Sequence, residues 1–96
     1  LAGLEPPKFE DNEASFADLK ARLAQAQAFL ATLQPAQIDG SEERQIVLKY
    51  GPNVLEFKGL PYLTMFALPN FFFHYTTAYA ILRHNGVDLG KRDFAG

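Results

Sequence analysis

Cysteine is absent from the 96 residues, and its absence removes several kinds of chemistry at once. Disulfides, thiolate metal sites and a cysteine nucleophile are all excluded. A membrane span is not expected either. The longest apolar run, Met65 to Phe73, contains Pro69 and Asn70 and is far shorter than the roughly 18–20 residues that a span requires. The first residues also lack the basic start and apolar middle of a signal peptide. We therefore expect a cytoplasmic protein with no membrane partner.

The charge of the chain is nearly balanced. Nine Lys and Arg stand against eleven Asp and Glu, which gives a net charge of -2, and no basic cluster is longer than Lys91-Arg92. Nucleic-acid-binding proteins carry a basic patch, so no nucleic-acid partner is expected. The hydrophobic fraction of 48% is typical of a globular chain. We predict a single domain over residues 1–96 with one thin core.

The first predicted helix runs from about Ser15 to Leu33. Ser15 followed by Asp18 resembles a capping box, and Pro35 disfavours helical geometry at Gln34. Between them, apolar residues recur at alternating steps of three and four, which places them on one stripe of a helix: Phe16, Leu19, Leu23, Ala26, Leu30 and Leu33. Residues 1–12 are predicted to form an extended arm over the surface, and residues 35–43 a loop.

A β-hairpin is predicted next. Two runs rich in β-branched and aromatic residues, Gln45 to Tyr50 and Asn53 to Lys58, are separated by Gly51-Pro52. An isolated two-stranded hairpin is marginal in water, so one of its faces is expected to pack against a helix.

The last helix is predicted from Tyr62 to about Gly86, after a break at Gly59, as a largely buried amphipathic helix. Pro69 removes a backbone donor, so this helix is expected to be kinked there or split in two. Asn85-Gly86 is typical of a left-handed C-cap, with Arg83 and His84 at the negative end of the helix dipole. A short tail follows from Leu89.

Apolar residues almost encircle the segment from Leu63 to Leu82, and a helix that is apolar all round must be covered on several sides. One amphipathic helix and one hairpin are too little to cover it. Either the protein forms a homo-oligomer, a dimer being the simplest, or helices are absent from this chain.

Few residues can carry chemistry. His74 and His84 lie about 15 Å apart along a helix and cannot share one metal ion. From the residues alone, His74 is interpreted as a half-buried structural histidine, with a ligand or acid–base group as the alternative. His84 is interpreted as a dipole-stabilising or surface residue. Ser15 and Ser41 lie outside any nucleophile-elbow pattern.

One long stretch of the sequence is distinctive: FALPNFFFHYTTAYAILRHNG at residues 66–86, followed by VDLGKRDF. Together with Pro7 to Asp11, the first helix and the hairpin, it resembles the domain of unknown function 1993 family, in the DinB/YfiT-like superfamily. The resemblance implies a mainly α fold, a DinB-like four-helix bundle. This chain would be its C-terminal half, with two long helices and the hairpin. It also implies that two N-terminal helices precede Leu1, which is not a Met.

The same resemblance implies a place for a divalent metal. DinB-like metalloproteins hold the ion through a His on an early helix and a His-x-x-x-His pair on the last helix. The match places His74 on the second His of that pair and Asn70 on the first. Asn is a poorer ligand than imidazole for zinc or nickel, so no cofactor is expected. The alternative is an ion held by His74 with a carboxylate from the absent half.

Three functions compete on the sequence. The first is an uncharacterised DinB-like bundle that binds a small ligand through His74 and Asn70, or that dimerises. The second is a metal-dependent enzyme of the DinB/YfiT type, a thiol transferase or hydrolase, with His74 as ligand. The third is an interaction protein that uses its Phe-rich face.

Overall fold

The computed structural model describes the backbone of all 96 residues and the side chains of every residue except Tyr50. Just over half of the residues are helical, and one antiparallel hairpin is present. The elements in chain order are α1 (Phe16–Ala31), α2 (Pro35–Ile38), β1 (Gln45–Tyr50), β2 (Asn53–Lys58), α3 (Gly59–Pro61), a π-helix (Tyr62–Ala67), α4 (Leu68–His84) and α5 (Lys91–Ala95). The mainly α architecture with two long helices and a hairpin is confirmed.

The cap of α1 forms as predicted. The Ser15 hydroxyl accepts a hydrogen bond from the Asp18 N–H at 3.2 Å and donates one to Asp18 Oδ2 at 2.7 Å. The Asp18 carboxylate also accepts from the Ala14 N–H at 3.1 Å, so the two side chains close the first turn together. The helix ends at Ala31, two residues before the predicted limit.

The arm holds no helix or strand over residues 1–14. Arg22 of α1 contacts the second half of the arm. Its guanidinium lies over the Phe9 ring, 5.3 Å from the centroid, and forms ion pairs with Asp11 at 3.0 Å and with Glu13. At the other end, Arg44 donates a hydrogen bond to the Leu1 carbonyl. The arm therefore covers one flank of α1.

The loop predicted at residues 35–43 is wrong in its first part, where α2 forms. Pro35 lies at the first helical position, where its fixed φ favours a helix and its missing N–H costs no hydrogen bond. The Gln37 side chain accepts from the Gln34 N–H at 2.7 Å. The proline that was expected to end α1 thus begins α2.

The hairpin has the predicted boundaries. Ile46 pairs with Phe57 and Leu48 with Leu55, so four half-buried apolar side chains share one face. Gly51 begins the two-residue turn with φ +59°, a conformation that glycine adopts without steric cost. Phe57 then packs on the π-helix, with its ring 6.0 Å from Tyr62 and 5.4 Å from Phe66. The π-helix is the neighbour that the hairpin requires.

Gly59 is the first helical residue and not a break. It is buried against the loop before β1, and a Cβ at this position would lie 1.9 Å from the Ser41 carbonyl oxygen. The Leu60 N–H donates to the Glu42 carbonyl at 2.9 Å beside it. Helical conformation then continues without interruption to His84.

Pro69 lies in the first turn of α4, directly after the π-helix. The Leu68 N–H donates to the Leu63 carbonyl, five residues back, and this wider spacing ends just before the proline. The change in helix type falls one residue from the predicted break. At the other end, Gly86 has φ +87° and the N–H groups of Gly86 and Val87 return to Arg83 and Leu82, both at 3.1 Å. This Schellman cap confirms the predicted end of the helix.

The short C-terminal tail contains α5, a helix that the sequence pattern does not predict. The Asp93 carboxylate accepts from the Gly90 N–H at 2.7 Å and so caps the first turn. Phe94 stacks on Tyr75 of α4 with ring centroids 4.4 Å apart, and the Tyr75 hydroxyl donates to the Phe94 carbonyl at 3.0 Å. The chain thereby covers one flank of α4.

Burial departs most from the predictions. Among the described side chains no hydrophobic one is buried, so the expected thin core is absent from the single chain, and the last helix is exposed where it was expected to be largely buried. The reason is that α1 does not pack along α4 over the part of the chain that the structure describes. The Cα radius of gyration of 16.1 Å exceeds the roughly 12–13 Å of a compact domain this size.

Candidate ligand groove

An open groove of about 560 Å³ runs along the π-helix and the first half of α4. We call it the α4 groove. Its lining is mostly aromatic or apolar, with two polar side chains: Tyr62, Phe66, Ala67, Asn70, Phe71, His74 and Tyr75. The two residues singled out from the sequence, Asn70 and His74, therefore lie on the same groove.

Helix periodicity brings Asn70 and His74 together. They are four residues apart on α4, which separates them by one turn and about 6 Å along the axis. Asn70 offers an amide that both donates and accepts, and His74 offers an imidazole. Both residues are exposed, and the His74 ring meets the edge of Phe73 at a centroid distance of 5.2 Å.

The hairpin supports the first wall of the groove. Tyr62 and Phe66 lie one turn apart with rings 5.8 Å apart, and Phe57 of β2 contacts both of them from behind. Phe57 is half-buried between the strands and the π-helix. The wall is thus built from three aromatic rings that restrict one another.

The second wall is fixed from the C-terminus. The Phe71 and Tyr75 rings lie 5.8 Å apart, and Tyr75 is held by its stacking on Phe94 and by the hydrogen bond to the Phe94 carbonyl. The short helix α5 therefore determines the orientation of a groove residue, although it lies about twenty residues further along the chain.

The π-helix sets the relation between the two walls. A π turn holds more residues than an α turn, so it rotates Tyr62 and Phe66 relative to the face of α4 that they would otherwise share. Sequence spacing alone does not show this rotation. The sequence therefore does not identify Tyr62 and Phe66 as site residues, and the aromatic cluster around Pro69 is their only signal. Tyr75 and Phe94 escape notice for a different reason, because a tertiary contact brings them together.

Among the described side chains, no charged one lines the α4 groove, and the sequence has no charged residue between Gly59 and Leu82. Within the described part of the chain, no three His, Asp or Glu side chains converge on one point. Asn70 and His74 together supply at most two donors, one of them a weak amide oxygen, whereas zinc sites have three or four protein ligands. Within the described residues, Asn70 and His74 alone do not fit a divalent metal site.

His84 lies apart from the α4 groove. It occupies the last turn of α4 with Arg83, at the negative end of the helix dipole, and is exposed. It therefore offers a natural control for experiments on His74.

No helix of the described chain is both long and apolar enough to pass through a bilayer. A family model described as "Domain of unknown function (DUF1993)" matches residues 1–95. Neither a curated protein nor a solved structure matches the sequence significantly.

Proposed function

This chain belongs to the DUF1993 family, whose domain has no assigned function, and we propose that it binds a small ring-bearing molecule in the α4 groove. The observation that carries the proposal is the composition of the groove: apolar and aromatic walls with Asn70 and His74 side by side. Small-molecule sites generally combine an apolar lining with a few polar groups that fix orientation. The ligand is expected to carry one hydrogen-bonding group next to a planar ring.

The absence of charge in the groove restricts the ligand further. A phosphate or a polyanion would find no Lys or Arg on these walls. A phenol or a similar neutral aromatic fits better, because its ring can stack on Tyr62, Phe66 or Phe71 while its hydroxyl bonds to Asn70 or His74.

The test uses 2-naphthol as the probe and naphthalene as its apolar counterpart. The chain has no tryptophan, so the probe's fluorescence can be followed with only tyrosine emission from the protein. His74→Phe is expected to weaken binding of 2-naphthol by roughly 3- to 10-fold, which corresponds to one lost hydrogen bond. Binding of naphthalene should stay nearly unchanged.

His84→Phe is the matched control, because it makes the same substitution on the same helix outside the groove. It should leave both affinities as they are. Equal losses for His74→Phe and His84→Phe, or no loss for either, would refute the proposed site.

We further propose that α1 and α4 are two of the helices of a DinB-like four-helix bundle. Support comes from their apolar stripes. The α1 stripe has the three-and-four spacing of bundle helices, and Phe16 and Leu23 remain 84% and 62% exposed. Stripes of this kind are stable only when other helices cover them.

A further inference from the structure

We infer that two copies of this chain pair reciprocally, with α1 of each copy lying along α4 of the other. The second copy then forms the outer wall of the α4 groove and encloses its ligand. The pairing itself stands on the exposed helix faces. Only the role of the second copy as a groove wall rests on the proposed function.

The first unpaired face is the α1 stripe. Phe16, Leu19, Leu23 and Leu30 all remain exposed. The arm does not cover this face, because Arg22 holds it against the neighbouring flank of α1, where it lies close to Ala21 and Gln25. The stripe itself carries no charged residue.

The second unpaired face is on α4. Phe71, His74, Ala78 and Ile81 follow one another at steps of three and four, so they form a single stripe. Phe71 is 58% and Ile81 56% exposed. α5 does not cover this stripe, because Phe94 packs on Tyr75 and Tyr79, which lie on the adjoining flank. The groove residues Phe71 and His74 belong to the stripe, so a helix placed on it closes the groove.

The two helices match in length, and their stripes match in period. α1 has 16 residues and α4 has 17, about 24 Å and 26 Å of helix. Alternation of three and four on both sides is the pattern that lets two helices pack at the shallow angle of bundles. Neither stripe places a charge opposite the other. The α1 stripe has no charged residue, and none occurs from Gly59 to Leu82 on the α4 side.

The area available is sufficient for a stable dimer. Seven large apolar side chains on or beside the two stripes are about half exposed or more: Phe16, Leu19, Leu23, Leu30, Phe71, Ile81 and Leu82. At on the order of 150 Å² for a fully exposed side chain, they offer roughly 600 Å² per copy. A symmetric pair would then bury about 1,200 Å² before smaller residues are added, which is the lower end of the range for specific interfaces.

Reciprocal pairing also gives each chain the core that it lacks alone. Two copies related by a twofold axis bring together two α1 and two α4 helices, which is the helix content of a four-helix bundle. An association of two α4 helices would leave both α1 stripes in water.

The first experiment measures the mass of the 96-residue chain in solution by light scattering. The wild type should have twice the mass of the chain. Leu23→Glu, on the α1 stripe, should raise the dissociation constant at least tenfold, and Ala28→Glu, on the opposite side of α1, should leave it unchanged. Helix content by circular dichroism shows whether each variant is folded. A monomeric wild type at high concentration overturns the inference and would point to helices from elsewhere as the cover.

The second experiment identifies which helices pair between copies. The chain has no native cysteine, so only the introduced cysteines can be cross-linked. Leu23→Cys and Ala78→Cys chains are mixed and treated with a short bismaleimide. Links between α1 of one copy and α4 of the other are expected, whereas the mixture of Ala28→Cys with Ala78→Cys should give few. Links formed only between two Ala78→Cys chains would refute the reciprocal arrangement.

The failures of the two proposals are distinguishable. If the chain is a monomer and 2-naphthol binding still depends on His74, the pairing is wrong and the ligand groove stands. If α1 and α4 cross-link between copies but His74→Phe leaves 2-naphthol binding unchanged, the pairing stands and the ligand site is wrong.

Discussion

Of the glycines in the chain, Gly59 has the closest contact with a neighbouring backbone segment. The loop that begins at Ser41 passes directly over it, and both residues are buried although almost all others are not. This contact fixes where the helical stretch starts relative to the hairpin. The position of Tyr62 and Phe66 in the groove wall depends on it.

Gly59→Ala should therefore destabilise the fold. The new Cβ would lie 1.9 Å from the Ser41 carbonyl oxygen and 2.9 Å from its carbon, so the backbone has to move. Overpacking of this kind costs about 1–3 kcal/mol in the free energy of unfolding, measurable by urea denaturation. Gly90→Ala is the control, because its Cβ would have only an ordinary contact, at 3.7 Å from Asp93. Equal stability of the two variants would contradict this packing.

The cap of α1 should make helix stability depend on pH in the acid range. Hydrogen bonds from the Ser15 hydroxyl, and next from the Ala14 N–H, lower the pKa of the Asp18 carboxyl below its ordinary value. A carboxyl with a lowered folded-state pKa stabilises the fold above its unfolded pKa of about 4, and this contribution is lost as the pH falls through the folded value.

Circular dichroism against pH tests this linkage. The wild type should lose helix content as the pH falls below about 4, and Asp18→Asn should lose less over that interval. Ser15→Ala should behave like Asp18→Asn, because it removes the largest cause of the lowered pKa. An unchanged profile in both variants would show that the cap does not titrate.

At the scale of elements, α5 affects the shape of the α4 groove without lining it, because Phe94 of α5 orients Tyr75. Phe94→Ala removes the ring that stacks on Tyr75 and meets Tyr79 at 5.3 Å. We expect α5 to detach, which would show as lost hydrogen-exchange protection at residues 91–95. Binding of 2-naphthol should weaken too, because Tyr75 is no longer oriented. Phe73→Ala lies on another side of α4 and should leave α5 protected.

The sequence could predict the elements whose ends are determined by residues close together in the chain. The Ser15 cap, the hairpin around Gly51-Pro52 and the end of α4 at Gly86 each follow from a few neighbouring residues. The α2 helix is not predicted because a proline after a helical pattern indicates the end of that helix as readily as the start of the next. The α5 helix was missed because its support, Tyr75, lies far away in the sequence. The π-helix has no periodic signal of its own.

The candidate site was predictable only in part. Four-residue spacing on a helix is enough to place Asn70 and His74 on one face. The wall formed by Tyr62 and Phe66 depends on the π-helix, which has no periodic signal, and on the tertiary packing of Phe57 behind it. A sequence pattern therefore indicates the polar pair but not the groove around it.

At the scale of the whole molecule, the main feature of the single chain is its large exposed apolar surface. The sequence indicated that α4 needs cover on several sides, and in the structure of one chain α1, the arm and α5 leave its groove face open. The exposed apolar surface includes the α4 groove and the two unpaired stripes. Its α4 part is uncharged, because no charged residue occurs from Gly59 to Leu82. Both proposals concern this surface: the ligand would occupy the groove, and the second copy would cover it.

The most direct test is to map 2-naphthol onto the isotope-labelled 96-residue chain by NMR. Binding in the α4 groove predicts that the largest shift changes occur at Tyr62, Phe66, Asn70, Phe71 and His74, and that they saturate with one affinity. Shift changes concentrated on residues outside the groove, or spread evenly over the apolar surface without saturation, would contradict ligand binding in the α4 groove.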